Sequence, residues 1–171
     1  MDSSEEILDV VDMADLVTGQ ATRREIHKKT LIHRAVHILV FNSKGELYIQ
    51  RRVLTKDENP GLWDSSAAGH VGGSESYDLC AHRELGEELG IQSNLKTAGK
   101  LAASLKTSWE HVVIYTCVTD QHLLPDPSEI LEGKFRSLHQ INSDLKSFSD
   151  QFTPTFKEIM NTIVNEKKTF I

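Results

Sequence analysis

The 23 residues GHVGGSESYDLCAHRELGEELGI, numbered 69 to 91, constrain this chain more than any other stretch. They open on Gly69, Gly72 and Gly73 and close on Glu84, Glu87 and Glu88, with helix-forming residues between. From Tyr77 to Leu89 the pattern is helical. Ser74 or Ser76 offers an N-cap, Gly90 sits just past the C-terminus, and Ala81, Leu85 and Leu89 form an apolar stripe that packs on a sheet. At about 3.6 residues per turn, Glu87 and Glu88 emerge beside Glu84, so three carboxylates crowd one side of the helix. Like charges so placed repel. A solvated exterior tolerates them, and a hard divalent cation satisfies them through oxygen ligands, together with a carbonyl from the glycine-rich loop. Such a cation can also hold a diphosphate.

The remaining pattern supplies the sheet. Val36, Ile38, Val40 and Phe41 precede the turn signal NSKG and Leu47, Tyr48 and Ile49 follow it, so residues 34–52 read as a β-hairpin ending in two arginines. A polar loop follows, broken at Pro60-Gly61. The segments AGKLAASLKTS and WEHVVIYTCVTD read as strands, and LLPDPSEILEGKFRSLHQI as a loop leading into a short strand. Residues 1–30 form an N-terminal β extension with a hairpin around DMAD. A C-terminal helix over 153–167 starts at Thr153-Pro154, with Phe156, Ile159, Met160, Ile163 and Val164 on its apolar side. With 171 residues, 39% of them hydrophobic, the expectation is one domain, α/β (α+β), its mixed sheet flanked by helices.

Charge and cysteine usage narrow the setting. A net charge of −6 argues against nucleic-acid partners, which need a basic face to displace counterions from phosphates. Two cysteines, Cys80 and Cys117, sit in a helical and a strand-like pattern, so buried thiols in a reducing cytosol are expected rather than a disulfide framework. The N-terminus has no basic leader, and no segment approaches about 18 consecutive apolar residues. The expected protein is cytoplasmic and has no membrane partner.

The 69–91 stretch resembles the signature of the Nudix hydrolase superfamily. Gly69, Glu75, Arg83, Glu84, Leu85, Glu87, Glu88, Gly90 and Ile91 fall on its nine defined positions. The resemblance implies an α/β/α sandwich and hydrolysis of a nucleoside diphosphate derivative or related diphosphate, with Mg²⁺ or Mn²⁺ as cofactor. By position it makes Glu87, Glu88 and the Gly69 carbonyl metal ligands, and Glu84 a further ligand or the base that deprotonates water. Glu75 and Arg83 become a structural ion pair, and Gly90 ends the helix. The family often takes another glutamate from a later loop, where Glu129 is the first choice and Glu132 the second.

Residues 27–91 also resemble the branch containing isopentenyl-diphosphate isomerase and its hydrolase-like relatives. That resemblance aligns Arg52 and Lys56 with diphosphate-binding groups, a sensible pairing of a bidentate fork and a mobile point charge. It keeps a histidine, His70, but places Ala68 where the isomerase has its cysteine, and a methyl group cannot move a proton at carbon. His33 and His70 align with isomerase metal ligands, whereas His27 falls one residue out of register with the third. Hydrolysis is thus the leading expectation, isomerisation an alternative disfavoured by Ala68, and a non-catalytic nucleotide-binding module a third. The implied partner is a small diphosphate, with homodimerisation left open. Trp63, Trp109 and Tyr115 are available either to stack on a base or to pack in the core.

Overall fold

The computed structural model describes residues 3–165. In chain order its elements are β1 (Ile7–Val11), β2 (Val17–Thr22), α1 (Arg23–Lys29), β3 (His33–Phe41), β4 (Glu46–Arg52), β5 (Trp63–Asp64), β6 (Ala67–His70) and α2 (Tyr77–Leu89). There follow β7 (Lys96–Leu101), β8 (Glu110–Val118), β9 (Ile130–Ser137), α3 (Leu138–Ser147) and α4 (Pro154–Asn165). Residues 1, 2, 166 and 167 of the expected terminal elements lie outside the described residues, as do the side chains of Ile163 and Val164.

β3 organises the sheet. It runs parallel to β8 from His33↔Glu110 to Phe41↔Val118 and antiparallel to β6, while it meets β4 only at Phe41↔Leu47. Beyond their shared turn, β4 therefore takes β9 and β5 as partners. Burial on both faces explains the unbroken apolar run of β3. Val36, Ile38 and Val40 join Ala81, Leu85 and Leu89 of α2 in one core, whereas Leu39 and Phe41 pack with Ile141, Phe156, Ile159 and Met160 in the other. The result is a mixed sheet between helical layers. No helix among the described residues is long and apolar enough to cross a membrane.

Local chemistry sets the ends of α2. Ser76 caps it by accepting from the Leu79 N–H at 3.2 Å, and Gly90 closes it with φ 66°, a left-handed conformation that glycine adopts without a side-chain penalty. Ser74 is not the cap. Gly69 lies within β6 rather than in a loop, since its neighbours pair with β3. The N-terminal segment departs further from expectation, because α1 follows the hairpin inside the stretch read as β extension. Thr22, accepting from Glu25 N–H, carries the threonine-x-x-glutamate capping signal that marks the start of α1. Ser137 and Gln140 form the same kind of box at α3, where the sequence suggested only a loop and a strand.

Candidate active site

One cavity of about 410 Å³ gathers side chains from α1, β3, β6, α2, the β4–β5 loop, the β8–β9 loop and the start of α4. Its floor is where β6 passes under α2. Gly69 faces Glu84 so closely that a Cβ there would overlap the carboxylate. Glu84 and Glu88 are 9% and 5% exposed, because the helical spacing that buries Leu85 and Leu89 also turns these glutamates inward. Glu87 remains largely exposed.

Burial dominates the charge state of the inner pair. It pushes Glu84 up to about 7 and Glu88 up to about 8, the latter raised further by the Glu84 charge and opposed by Gln50, which donates to Glu88 Oε2 at 2.7 Å. Arg83 Nη1 donates to Glu84 at 2.7 Å and Glu87 at 3.1 Å, so one guanidinium offsets the repulsion that the spacing creates. Its other edge forks onto Glu75, with Nε and Nη2 each at 3.0 Å. Glu84 and Glu88 bring carboxylates to the Gly69 backbone, whereas the three-residue sets whose ligand atoms converge among the described residues are those of the histidine cluster below β6.

The opposite rim is cationic. Arg52 Nε donates to the Glu58 carbonyl at 3.2 Å and Nη1 lies 3.6 Å from Asp64, which holds the guanidinium at the cavity wall. Lys56 ion-pairs with Glu129, and burial lowers its pKa. Glu129 is carried on a loop tied to α2, through Leu124 N–H to Leu89 and Asp126 N–H to Glu88. Glu132 instead pairs with Arg51 at 3.1 Å and lies outside the cavity.

Below β6, on the face away from Glu84, three imidazoles meet. The ligand atoms of His27, His33 and His70 all lie within 4.8 Å of one another, as do those of Glu58, His70 and Glu110. Glu110 accepts from His70 at 3.0 Å and sits 3.4 Å from His33, contacts that hold its carboxyl well below the usual range despite burial. Burial drives His70 down to about 4, whereas the Glu110 partnership raises His33. His27 stands one residue out of register in the sequence, yet α1 delivers it to the cluster.

Arg23, Glu6, His37, Asp64 and Thr155 also line the cavity and escaped the sequence reading. A usable signal existed for His37, which alternates with His33 and Ala35 along β3. The three aromatic candidates do not line the cavity. Trp63 packs in the α4-side core under Lys134, Tyr115 packs beneath α2 and donates to Asp78, and Trp109 sits in a turn with φ 62°.

Comparison with known proteins agrees with this architecture. A family model described as the NUDIX domain matches residues 31–156. An isopentenyl-diphosphate Delta-isomerase 2 from Photorhabdus laumondii is 33% identical over 164 residues, 92% of each chain. An uncharacterized Nudix hydrolase from Pseudomonas aeruginosa is 38% identical over 134 residues, covering 78% of this chain and 79% of its own. The crystal structure of DR0079 from Deinococcus radiodurans superposes with a TM-score of 0.76 at 25% identity, covering 84% of this chain and 90% of that one.

Proposed function

We propose, from the premise that the chain belongs to the NUDIX domain family, that this Nudix hydrolase uses Mg²⁺ or Mn²⁺ to cleave a nucleoside diphosphate derivative or related diphosphate. One observation carries the metal requirement. Among the described residues nine acidic side chains line the cavity against four arginines and lysines, so a diphosphate anion needs added cations to enter. Glu84, Glu87, Glu88, Glu129 and the Gly69 carbonyl are the groups assigned to hold them. The cation supplies Lewis acidity and a more acidic water.

The chain's own residues do the rest. Arg52 and Lys56 neutralise the phosphate oxygens, and Arg83 keeps the glutamates from repelling one another before the cation arrives. Glu84, whose pKa burial raises to about 7, accepts the proton of the attacking water in its ionised form. As the water oxygen bonds to phosphorus, the bridging phosphorus–oxygen bond breaks and the second phosphate leaves with its electron pair. Both free cysteines are buried, which fits a reducing cytoplasm.

The histidine cluster and the isomerase relative favour isomerisation as a second reading. Ala68 opposes it, because no thiol stands beside the cavity there. The decisive experiment incubates the purified protein with diphosphate compounds and Mg²⁺, with and without chelator, and follows phosphate release and isopentenyl–dimethylallyl interconversion. Chelator-sensitive hydrolysis without interconversion is expected. Chelator-insensitive hydrolysis refutes the metal assignment, and robust interconversion refutes the reaction class.

Arg52→Ala is expected to raise KM by about tenfold or more, since it removes a charge-assisted contact made in ground and transition states alike. Lys56→Ala should raise it less, by roughly threefold to tenfold, because Lys56 must first leave Glu129. Steady-state kinetics check both, and unchanged KM in the pair returns them to surface charge.

A further inference from the structure

The cavity has a second wall, on the sheet face opposite α2. β3 and β6 pair so that His37 stands opposite Ala68 and Ala35 opposite His70, and residues opposite each other project to the same face. Ala35 belongs to the core covered by α4, so His37 and Ala68 share the α4 side. There the start of α4 closes the cavity with Thr153, which accepts from the Phe156 N–H at 3.2 Å, and with Thr155.

This wall is buried yet polar. His37, Asp64 and Thr155 are 5%, 4% and 6% exposed, and among the described residues the only apolar side chains lining the cavity are the methyl groups of Ala35 and Ala68. His37 Nδ1 is held by Ser65 Oγ at 2.7 Å, with Asp64 Oδ1 at 3.6 Å. Its Nε2, like the Thr155 hydroxyl, has no hydrogen-bond partner among the described residues. Both atoms open onto the cavity rather than into the packed core, since neither is among the fully buried atoms without a partner, so they are free to bond a ligand that enters. Asp64 also lies against Arg52, so the wall joins the diphosphate end of the cavity directly.

We propose that His37, Thr155 and the start of α4 form the subsite for the group attached to the diphosphate, and that this group is a compact polyol of the sugar type. The proposal rests on the diphosphohydrolase reading. A hydroxyl both donates and accepts, so it satisfies either tautomer of His37 and the threonine hydroxyl together. A prenyl chain would leave both groups unpaired and find only two methyl groups to bury against. A nucleobase would find no Phe, Tyr or Trp ring among the described residues of the lining, only the imidazoles of His37 and His70. An additional phosphate there would face Asp64 and Glu110.

Two probes of five carbons separate these cases, ribose 5-diphosphate and dimethylallyl diphosphate. Their affinities are measured by calorimetry with Ca²⁺ present to slow turnover, and their cleavage with Mg²⁺ or Mn²⁺. The ribose compound is expected to bind at least about tenfold tighter, and Thr155→Val and His37→Leu should each reduce that ratio by about threefold or more. Thr155→Val keeps the side-chain shape, so it carries the test alone should His37→Leu not fold. Equal affinities, a preference for the prenyl compound, no binding of either, or a ratio unchanged in the variants overturns the subsite. Failure of the hydrolase reading looks different: the preferred probe is bound but neither probe is cleaved with either metal.

Discussion

Glu88→Gln is expected to lower turnover by at least about a hundredfold and, in the same protein, to raise the melting temperature of the metal-free form at pH 8. The first effect follows from removing a charged oxygen assigned to the cation while keeping its shape. The second follows from linkage. Burial, with the Glu84 charge added, pushes Glu88 up to about 8, well above a carboxyl in the unfolded chain. Between those two values the native state holds more protons than the unfolded state, so stability falls as pH rises through the window. At pH 8 the wild type carries part of the cost of a buried anion, and a glutamine does not. The amide oxygen at position 88 still accepts from Gln50. The melting gap, a few degrees at pH 8, should close toward pH 5. Thermal melts in chelator at both pH values and steady-state rates with Mg²⁺ check the two halves. Near-normal turnover would remove Glu88 from the metal site, and a gap independent of pH would remove charge as its cause.

This opposition between stability and function explains why the helix was legible from sequence. Three carboxylates within five residues break the ordinary rule that like charges keep apart, and a broken local rule points to an external cation. The apolar stripe of α2 and the two-sided run of β3 are equally direct, because periodicity encodes which face is buried. What escaped depends on chain reversals that periodicity does not encode. His37 and Thr155 line one cavity only because α4 returns across the sheet, and Asp64 reaches Arg52 only because the β4–β5 loop doubles back.

The N-terminal segment makes the same point. The family model begins at residue 31, yet Glu6, Arg23 and His27 reach the cavity or its histidine cluster. Their position depends on a clamp between the hairpin and the sheet. Asp15, at φ 63°, accepts from Arg34 at 2.6 Å and from Tyr77 at 3.0 Å and also pairs with Lys100. These contacts are far apart in sequence, so an acidic, weakly patterned terminus gave no sign that it forms a wall of the site.

Two glycines of the 69–91 stretch should respond to alanine with opposite signs. At Gly69 a new Cβ would overlap the Glu84 carboxylate, the far end of a side chain that lines the cavity, so it is the carboxylate that must turn aside. β6 is held to β3 at Val36, whereas the Glu84 carboxylate is held by Arg83 at 2.7 Å. Turning the carboxylate aside dismantles the proposed cation site. Gly69→Ala should therefore cost at least about a hundredfold in turnover, with a stability cost below the roughly 1–3 kcal/mol of overpacking a rigid site. Gly86 lies on the exposed side of α2, where the nearest atom to a new Cβ is the Ile91 carbonyl oxygen at 4.0 Å and no positive φ demands glycine. Gly86→Ala should add about 0.5–1 kcal/mol by restricting the unfolded chain, with turnover retained. Chemical denaturation and metal-dependent rates measured on both variants separate the cases. Retained turnover in Gly69→Ala would mean that Glu84 works from some other position, and the cavity floor would not be the reacting site.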